Sequence, residues 1–363
     1  MENNKVRVAI THGDTNSVGY ELIFKAFETP EMMELLTPII YGSPKIAAYH
    51  RKALNMEATF SIIGNAEEVR PGRLNLLTCF DNEVKVDLGH PNAESERAAQ
   101  KAFDRALSDH AVGGFDVLVT MPQSNDMWAG VPEYRQSGLC MMVENGLRIG
   151  FATERVSLKE AIAAVDKDTV VRKATTLYQT LRRDCSILNP RIAVLALNPG
   201  ADGDEESGII KPAVDELNEK GLHVFGPFKA EELFAEGGYD AFDGILAMYY
   251  EQGMVPFKTL SRGEGVMVYA GLPFVCTAVS GDGQPAAGKG LADPSPLRYA
   301  IYAAVDMFRN RTGYDLPMGN PLPKLYHEKR DEGEKLRFSV PKKHEAKESS
   351  AESVQQEAGN NQL

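Results

Sequence analysis

The stretch Leu246–Lys258, LAMYYEQGMVPFK, sets two tyrosines, a glutamate, a glutamine and a lysine directly behind an apolar run. That run, DGILAMYY, reads as a buried parallel strand, and ligand sites in α/β proteins gather at the carboxyl ends of such strands. Tyr250, Glu251, Gln252 and Lys258 therefore stand where site residues are expected. Lys258 suits an anion. Tyr250 is the odd member, a phenol of pKa about 10 where a catalytic residue is expected.

Three glycine-rich loops could share that edge: THGDTNSVG (residues 11–19), NPGADGDEESG (198–208) and SGDGQPAAGKGLAD (280–293). The glycines of the first would let backbone amides approach an anion at a helix amino terminus. No Gly-Lys-Ser/Thr follows, so it is not a P-loop. Singly, each loop reads as a tight turn; together they point to a shared cleft. Of the seven histidines only His12 falls on one of these loops. His50, His90 and His110 lie on helical or surface stretches, and His223, His327 and His344 read as solvated or edge residues.

The elements that must position these loops alternate along the chain. VRVAIT precedes the amphipathic GYELIFKAF, TPIIYG precedes SPKIAAYHRKAL, and FDVLVTMP follows ESERAAQKAFDRALSDH. RIAVLALNPG precedes IIKPAVDELNEKG, and SPLRYAIYAAVDMFRNR closes the pattern with Ser295 as its expected cap. Strands alternating with helices imply an α/β fold built on a largely parallel sheet covered on both faces. There is no internal repeat.

Composition bounds the function classes. The 363 residues are 43% hydrophobic and 25% charged, the profile of a globular protein. No apolar run is long enough for a membrane span. The polar start MENNKVRVAIT passes straight into a strand, so a cytoplasmic location is expected. Cys79, Cys140, Cys185 and Cys276 are scattered and read as reduced thiols. A net charge of −12 argues against nucleic acid as partner. Residues 328–363 are charged and poor in large apolar side chains, and disorder is expected beyond about residue 340.

Taken in order, Thr-x-Gly-Asp near the start, LNP, AMYxxQG, Lys258, GLPF and AGKGLAD resemble the PdxA family, 4-hydroxythreonine-4-phosphate dehydrogenase, from about Val6 to Arg311. The resemblance implies an α/β/α fold like that of isocitrate and isopropylmalate dehydrogenases, with two lobes and a cleft between them. Residues 1–122 and 266–327 would form one lobe and residues 123–265 the other. It also implies a homodimer whose site is completed across the two copies, and NAD-dependent oxidation of a phosphorylated hydroxy acid with a divalent metal. Decarboxylation would follow, in pyridoxal phosphate biosynthesis. By the same resemblance, Asn198, Gly288, Gly290 and Asp293 belong to the cofactor side and Lys258 to the substrate.

The chain departs from that family at the metal. The family's histidines fall in TTHxP, NPHAG and MYHDQG, where this sequence reads ATERVSL, NPGADG and MYYEQG, giving Arg155, Gly200 and Tyr250. PEYRQSGLC replaces a substrate-contacting Gly-His-Thr-Glu segment, and the TxPxxK turn reads TMPQSN, ending in Asn125. Met267 and Cys276 occupy a family asparagine and arginine, and SGDG stands for HGTA. Asp202, Asp204, Glu251 and Asp282 lie near the loops, but Arg155 would oppose a cation there, so no divalent metal is expected. Arg155 could instead join Lys258 in holding a small anionic ligand. Three readings follow: a non-catalytic protein that keeps fold and dimer, a metal-free enzyme on another anion, and the family dehydrogenase. Association with an intact relative is a further expectation.

Overall fold

The computed structural model describes residues 5–81, 84–123, 126–262, 264–280 and 286–319. Expectations for Asn125, Asp282 and residues 328–363 fall outside them. Twelve strands join in one sheet: β1 (Val6–Thr11), β2 (Leu36–Gly42), β3 (Ser61–Ile63), β4 (Asn75–Thr78), β5 (Val117–Thr120), β6 (Leu139–Glu144), β7 (Leu147–Phe151), β8 (Arg191–Leu195), β9 (His223–Phe228), β10 (Gly244–Ala247), β11 (Val266–Ala270) and β12 (Val275–Val279). Their order is β3-β4-β2-β1-β5-β12-β11-β6-β7-β10-β8-β9. From β3 to β12 neighbours are parallel. The sense then reverses at β12/β11, β11/β6 and β6/β7. From β7 to β9 the strands are parallel again, now opposite to the first run.

The helices are α1 (Gly19–Ala26), α2 (Glu31–Leu35), α3 (Pro44–Ala53), α4 (Ala93–Ala111), α5 (Pro132–Ser137), α6 (Leu158–Ala164), α7 (Lys167–Arg183), α8 (Lys211–Glu219), α9 (Ala230–Ala235), α10 (Tyr250–Leu260) and α11 (Ser295–Gly319). Alternation along the strands divides the core into two layers. Val8 and Ile10 of β1 belong to one layer, which also holds Leu177 and Leu181 of α7 and Ala300 and Ala304 of α11. Ala9 between them faces Ala102, Phe103 and Ala106 of α4 on the other side. Each large apolar side chain so buried contributes about 1.5–3 kcal/mol, and both faces being apolar is what a mostly parallel sheet requires.

Three local details differ from the sequence reading. The strand in DGILAMYY ends at Ala247, and Tyr250 opens α10 rather than ending the strand. Gln252 causes the exit: its Oε1 accepts the Met248 N–H (2.8 Å) while its Nε2 donates to the Ala196 carbonyl (2.6 Å). Gly253 then lets α10 lie close on the sheet, because a Cβ there would stand 2.7 Å from Ile149 Cγ2. Second, Ser295 is the first residue of α11 rather than its cap, and Asp293 Oδ1 accepts its N–H (3.0 Å) and its Oγ–H (2.8 Å). Third, β6 and β7 form a hairpin over Asn145-Gly146, both at positive φ (43° and 101°), the dipeptide that a tight hairpin turn favours.

Candidate functional site

Strands β7, β10 and β8 are parallel neighbours, and the segments leaving their carboxyl ends carry Arg155, Tyr250 and Gly200. Pairing continues past the strands: Ala152 N–H donates to Ala247 O (2.8 Å) and Thr153 Oγ1 to Met248 O (2.9 Å). Arg155 has φ of 52°, the left-handed region that a branched or bulky residue avoids. Burial works against its charge, but the acidic groups of Tyr269, Cys140, Glu154 and Tyr250 raise its pKa overall. Tyr250 packs its ring 5.0 Å from Phe151. Burial and the neighbouring Cys140 push its phenol up, while Arg155 pulls it down.

Behind Arg155 lies a cluster the sequence reading missed. Tyr134 of α5 donates its hydroxyl to Glu154 Oε1 at 2.5 Å. Cys140 and Tyr269 are buried beside it, and Lys173 of α7 donates to the Gly138 carbonyl and faces the Glu154 carboxylate. Burial first, then Glu154, drives the Tyr134 hydroxyl and the Cys140 thiol far above their usual pKa values. Trp128 stacks on Tyr134 (centroids 4.6 Å) and meets Tyr269 at 5.0 Å. The segment PEYRQSG thus fills this space with its own aromatic ring. Met267 and Cys276 likewise sit in the apolar core. Glu154 adjoins Arg155 in the sequence, and the question of what balances a new arginine would have found it.

The loop after β8 is organised by Glu206, another residue the sequence reading passed over. Its Oε1 accepts the N–H groups of Leu197 (2.8 Å) and Asn198 (2.7 Å), and its Oε2 accepts Asn198 Nδ2 (2.9 Å) and Gly203 N–H (3.0 Å). Burial would raise its pKa, but the donors from Asn198 and the backbone outweigh it and hold the carboxyl low. Glu205 takes the other Asn198 amide proton at 2.9 Å. The amides that could have met an external anion already hold an internal one.

The family's divalent ion does not fit this donor set. Arg155 is a fixed cation, Gly200 has no side-chain donor, and Tyr250 titrates above an ordinary phenol. A side chain at residue 200 would also meet Asp202 Oδ1, 2.2 Å from an added Cβ.

Lys258 lies two turns along α10 from Tyr250, roughly 12 Å, and its Nζ is 3.5 Å from Ser280 Oγ behind β12. Burial lowers its pKa. Arg155 and Lys258 therefore make separate local environments. Near Lys258's side of the sheet, the third glycine loop is tied to α1, the helix that follows the first. Lys25 donates to Glu21 Oε1, Gly290 O and Ala292 O, each at 2.8 Å, and Ala292 N–H donates to Glu21 Oε1 at 2.9 Å. Gly288 and Gly290 both have positive φ (72° and 68°), and a Cβ at Gly288 would stand 2.9 Å from Leu88 Cδ1. Asp293 is committed to its helix, and its bonds to Ser295 lower its pKa.

A mostly parallel sheet covered on both faces, with loops gathered at its strand ends, places the chain among α/β proteins of layered α/β/α architecture. The model of the pyridoxal phosphate biosynthetic protein PdxA matches residues 34–304, and the chain belongs to the PdxA family. It is 44% identical over 360 residues to the 4-hydroxythreonine-4-phosphate dehydrogenase of Bacteroides thetaiotaomicron, covering 94% of this chain and 99% of that one. It is 31% identical to the corresponding enzyme of Geobacter metallireducens, covering 85% and 97%. The crystal structure of the 4-hydroxythreonine-4-phosphate dehydrogenase from Burkholderia phymatum superposes with a TM-score of 0.67 at 27% identity, over 84% of this chain and 99% of that one. The expected α/β/α fold is thereby established, and NAD is the cofactor of the family.

Proposed function

We propose that this chain is a PdxA-family protein that keeps the fold and a dinucleotide surface, while its strand-end site binds a small anion without a divalent metal and without the family oxidation. The observation that carries this reading is Arg155, a charged guanidinium at a position where the family places a metal ligand, enclosed by Tyr250, Tyr269, Cys140 and Glu154. Two further features support it. Tyr134 stands in the stretch where the resemblance puts the substrate-contacting segment and is itself buried, and the buried Met267 and Cys276 cannot grip a phosphate or carboxylate. We further propose a cytoplasmic homodimer, able to associate with an intact relative, in which the site is completed across the two copies. All four cysteines are unpaired thiols, in keeping with a reducing compartment.

The test is NAD reduction with 4-hydroxythreonine-4-phosphate, with and without magnesium, manganese or zinc. No turnover is expected. The triple variant Arg155→His, Gly200→His, Tyr250→His is also expected to stay inactive, because metal ligands need fixed orientation and the substrate needs its grips. Losing a metal that supplies several kcal/mol to a transition state costs roughly three orders of magnitude or more in rate. Metal-dependent turnover by the native protein, or efficient turnover by the triple variant, would overturn the proposal. The 44% identity to a curated dehydrogenase favours a second reading, the family activity itself, and the first of those outcomes would establish it.

A further inference from the structure

We propose that Glu154 sets the ligand class of the arginine site, making it selective for singly charged carboxylates over doubly charged phosphates. The inference deepens the reading that a small anion binds at Arg155, and it rests on that reading.

The two residues are adjacent in the chain, yet their charges do not pair. The Arg155 guanidinium forms no hydrogen bond or ion pair with a described residue. The Glu154 carboxylate is engaged elsewhere. Its Oε1 accepts the Tyr134 hydroxyl at 2.5 Å, the Cys140 thiol lies against it, and Lys173, which donates to the Gly138 carbonyl, faces it. Tyr134 and Cys140 are buried, and Trp128 braces Tyr134 with a ring stack at 4.6 Å. Glu154 is thus a fixed negative charge one residue from a guanidinium that is open to a ligand.

The charges acting on buried Cys140 are Glu154, Arg155 and Lys173. Lys173 and Glu154 offset each other, and one positive charge remains. A monocarboxylate at Arg155 brings the sum to zero, and its two oxygens match the guanidinium fork. A phosphate dianion leaves one negative charge uncompensated beside aromatic side chains, where excess charge is costly, and it meets the Glu154 repulsion twice over. Glu251, exposed and acting on Tyr250, adds to the same bias. The Tyr250 ring, packed on Phe151 at 5.0 Å, offers carbon surface to the rest of such a ligand.

Benzoate and phenyl phosphate carry the same ring with one and two charges at about pH 8, so the pair isolates charge. Both are titrated into the full chain at low ionic strength and followed by ligand-observed NMR, for the native protein, Glu154→Gln, Arg155→Gln and Tyr134→Phe. Melting temperatures verify that each variant is folded. The native protein is expected to prefer benzoate by about tenfold or more, and Arg155→Gln to lose both probes. Glu154→Gln is expected to tighten phenyl phosphate about tenfold more than benzoate, because the dianion meets the removed charge twice, and so to close the preference. Tyr134→Phe removes the hydrogen bond but keeps the charge, and is expected to keep the preference. A preference that survives Glu154→Gln, or that Tyr134→Phe abolishes equally, would overturn the role of the Glu154 charge and leave the anion reading standing. Equal or inverted native affinities, both lost in Arg155→Gln, would overturn the selectivity alone. Binding of neither probe, or binding untouched by Arg155→Gln, would overturn both.

Discussion

A left-handed Arg155 costs about 1–2 kcal/mol relative to an ordinary backbone conformation, and it persists here against Glu154, Tyr250 and Tyr269. The exchange of histidine for arginine was legible in ATERVSL. What the arginine faces was not, because Tyr134 and Tyr269 reach Glu154 only through the fold. His12 shows the same limit. It was legible as a loop histidine, but it is fully buried and stacked on Tyr20 at 5.3 Å. Burial lowers its pKa to about 4, the Gly13 backbone opposing and His50 adding to the fall; burial also lowers that of His50, whose Nε2 contacts Thr15 O at 2.8 Å. Both imidazoles are neutral in the fold, so above pH 6.5 they add no pH dependence. Below it the unfolded chain takes up protons first, and stability falls until the folded pKa is reached. Glu21 facing His50 softens the effect, and Asp14, raised by burial, pulls the other way. His12 alone should cost about 3 kcal/mol between pH 6.5 and 4. Melting temperatures of native protein and His12→Phe should diverge in slope across that window, with the variant flatter; parallel curves would show that His12 is not the titrating group.

At the scale of elements, helices α1, α3, α4 and α11 were readable from periodicity because each covers an apolar face of the sheet. The two hairpins were not assigned, although Asn145-Gly146 announces one of them in the sequence. The loop after β8 was recognised only as glycine-rich; its order comes from Glu206, buried to 2% exposure and holding four N–H donors. Such a cradle cannot be inferred from spacing, because the carboxylate reaches back from beyond the turn. Glu206→Gln replaces one acceptor oxygen by a donor that faces donors. Hydrogen bonds to a charged group are worth about 1.5–3 kcal/mol, and a mispaired buried group costs similarly. The variant should therefore lose about 2–3 kcal/mol in a denaturant titration at pH 7. Since the native carboxyl titrates below its ordinary value, this deficit should shrink as the pH falls through the folded pKa. A deficit that stays constant to pH 3 would point to packing rather than charge.

Across the whole molecule the parallel sheet was legible, while the reversal of sense between its halves was hidden in short strands that look alike in isolation. That reversal assigns the glycine loops after β1 and β12 to one group and Arg155, Gly200 and Tyr250 to another. One protomer leaves the second group beside an uncovered apolar face. Helix α6 is fixed by a capping box between Ser157 and Glu160, yet it buries only Ala161. Leu158 and Ile162, one turn apart on the same side, are 58% and 47% exposed, and Val156 is 50% exposed. Burying each against a second copy would contribute about 1.5–3 kcal/mol, and the family resemblance implies such a copy. Because Val156 adjoins Arg155, a dimer on this face would bring the second chain to the arginine site. Sedimentation at micromolar concentration should show a homodimer for the native protein. Leu158→Glu/Ile162→Glu should shift it toward monomer by a hundredfold or more in dissociation constant, about 3 kcal/mol or more, while leaving the melting of the monomer nearly intact. A monomeric native protein would remove the assembly, and a double variant that still dimerises would place the interface on another face.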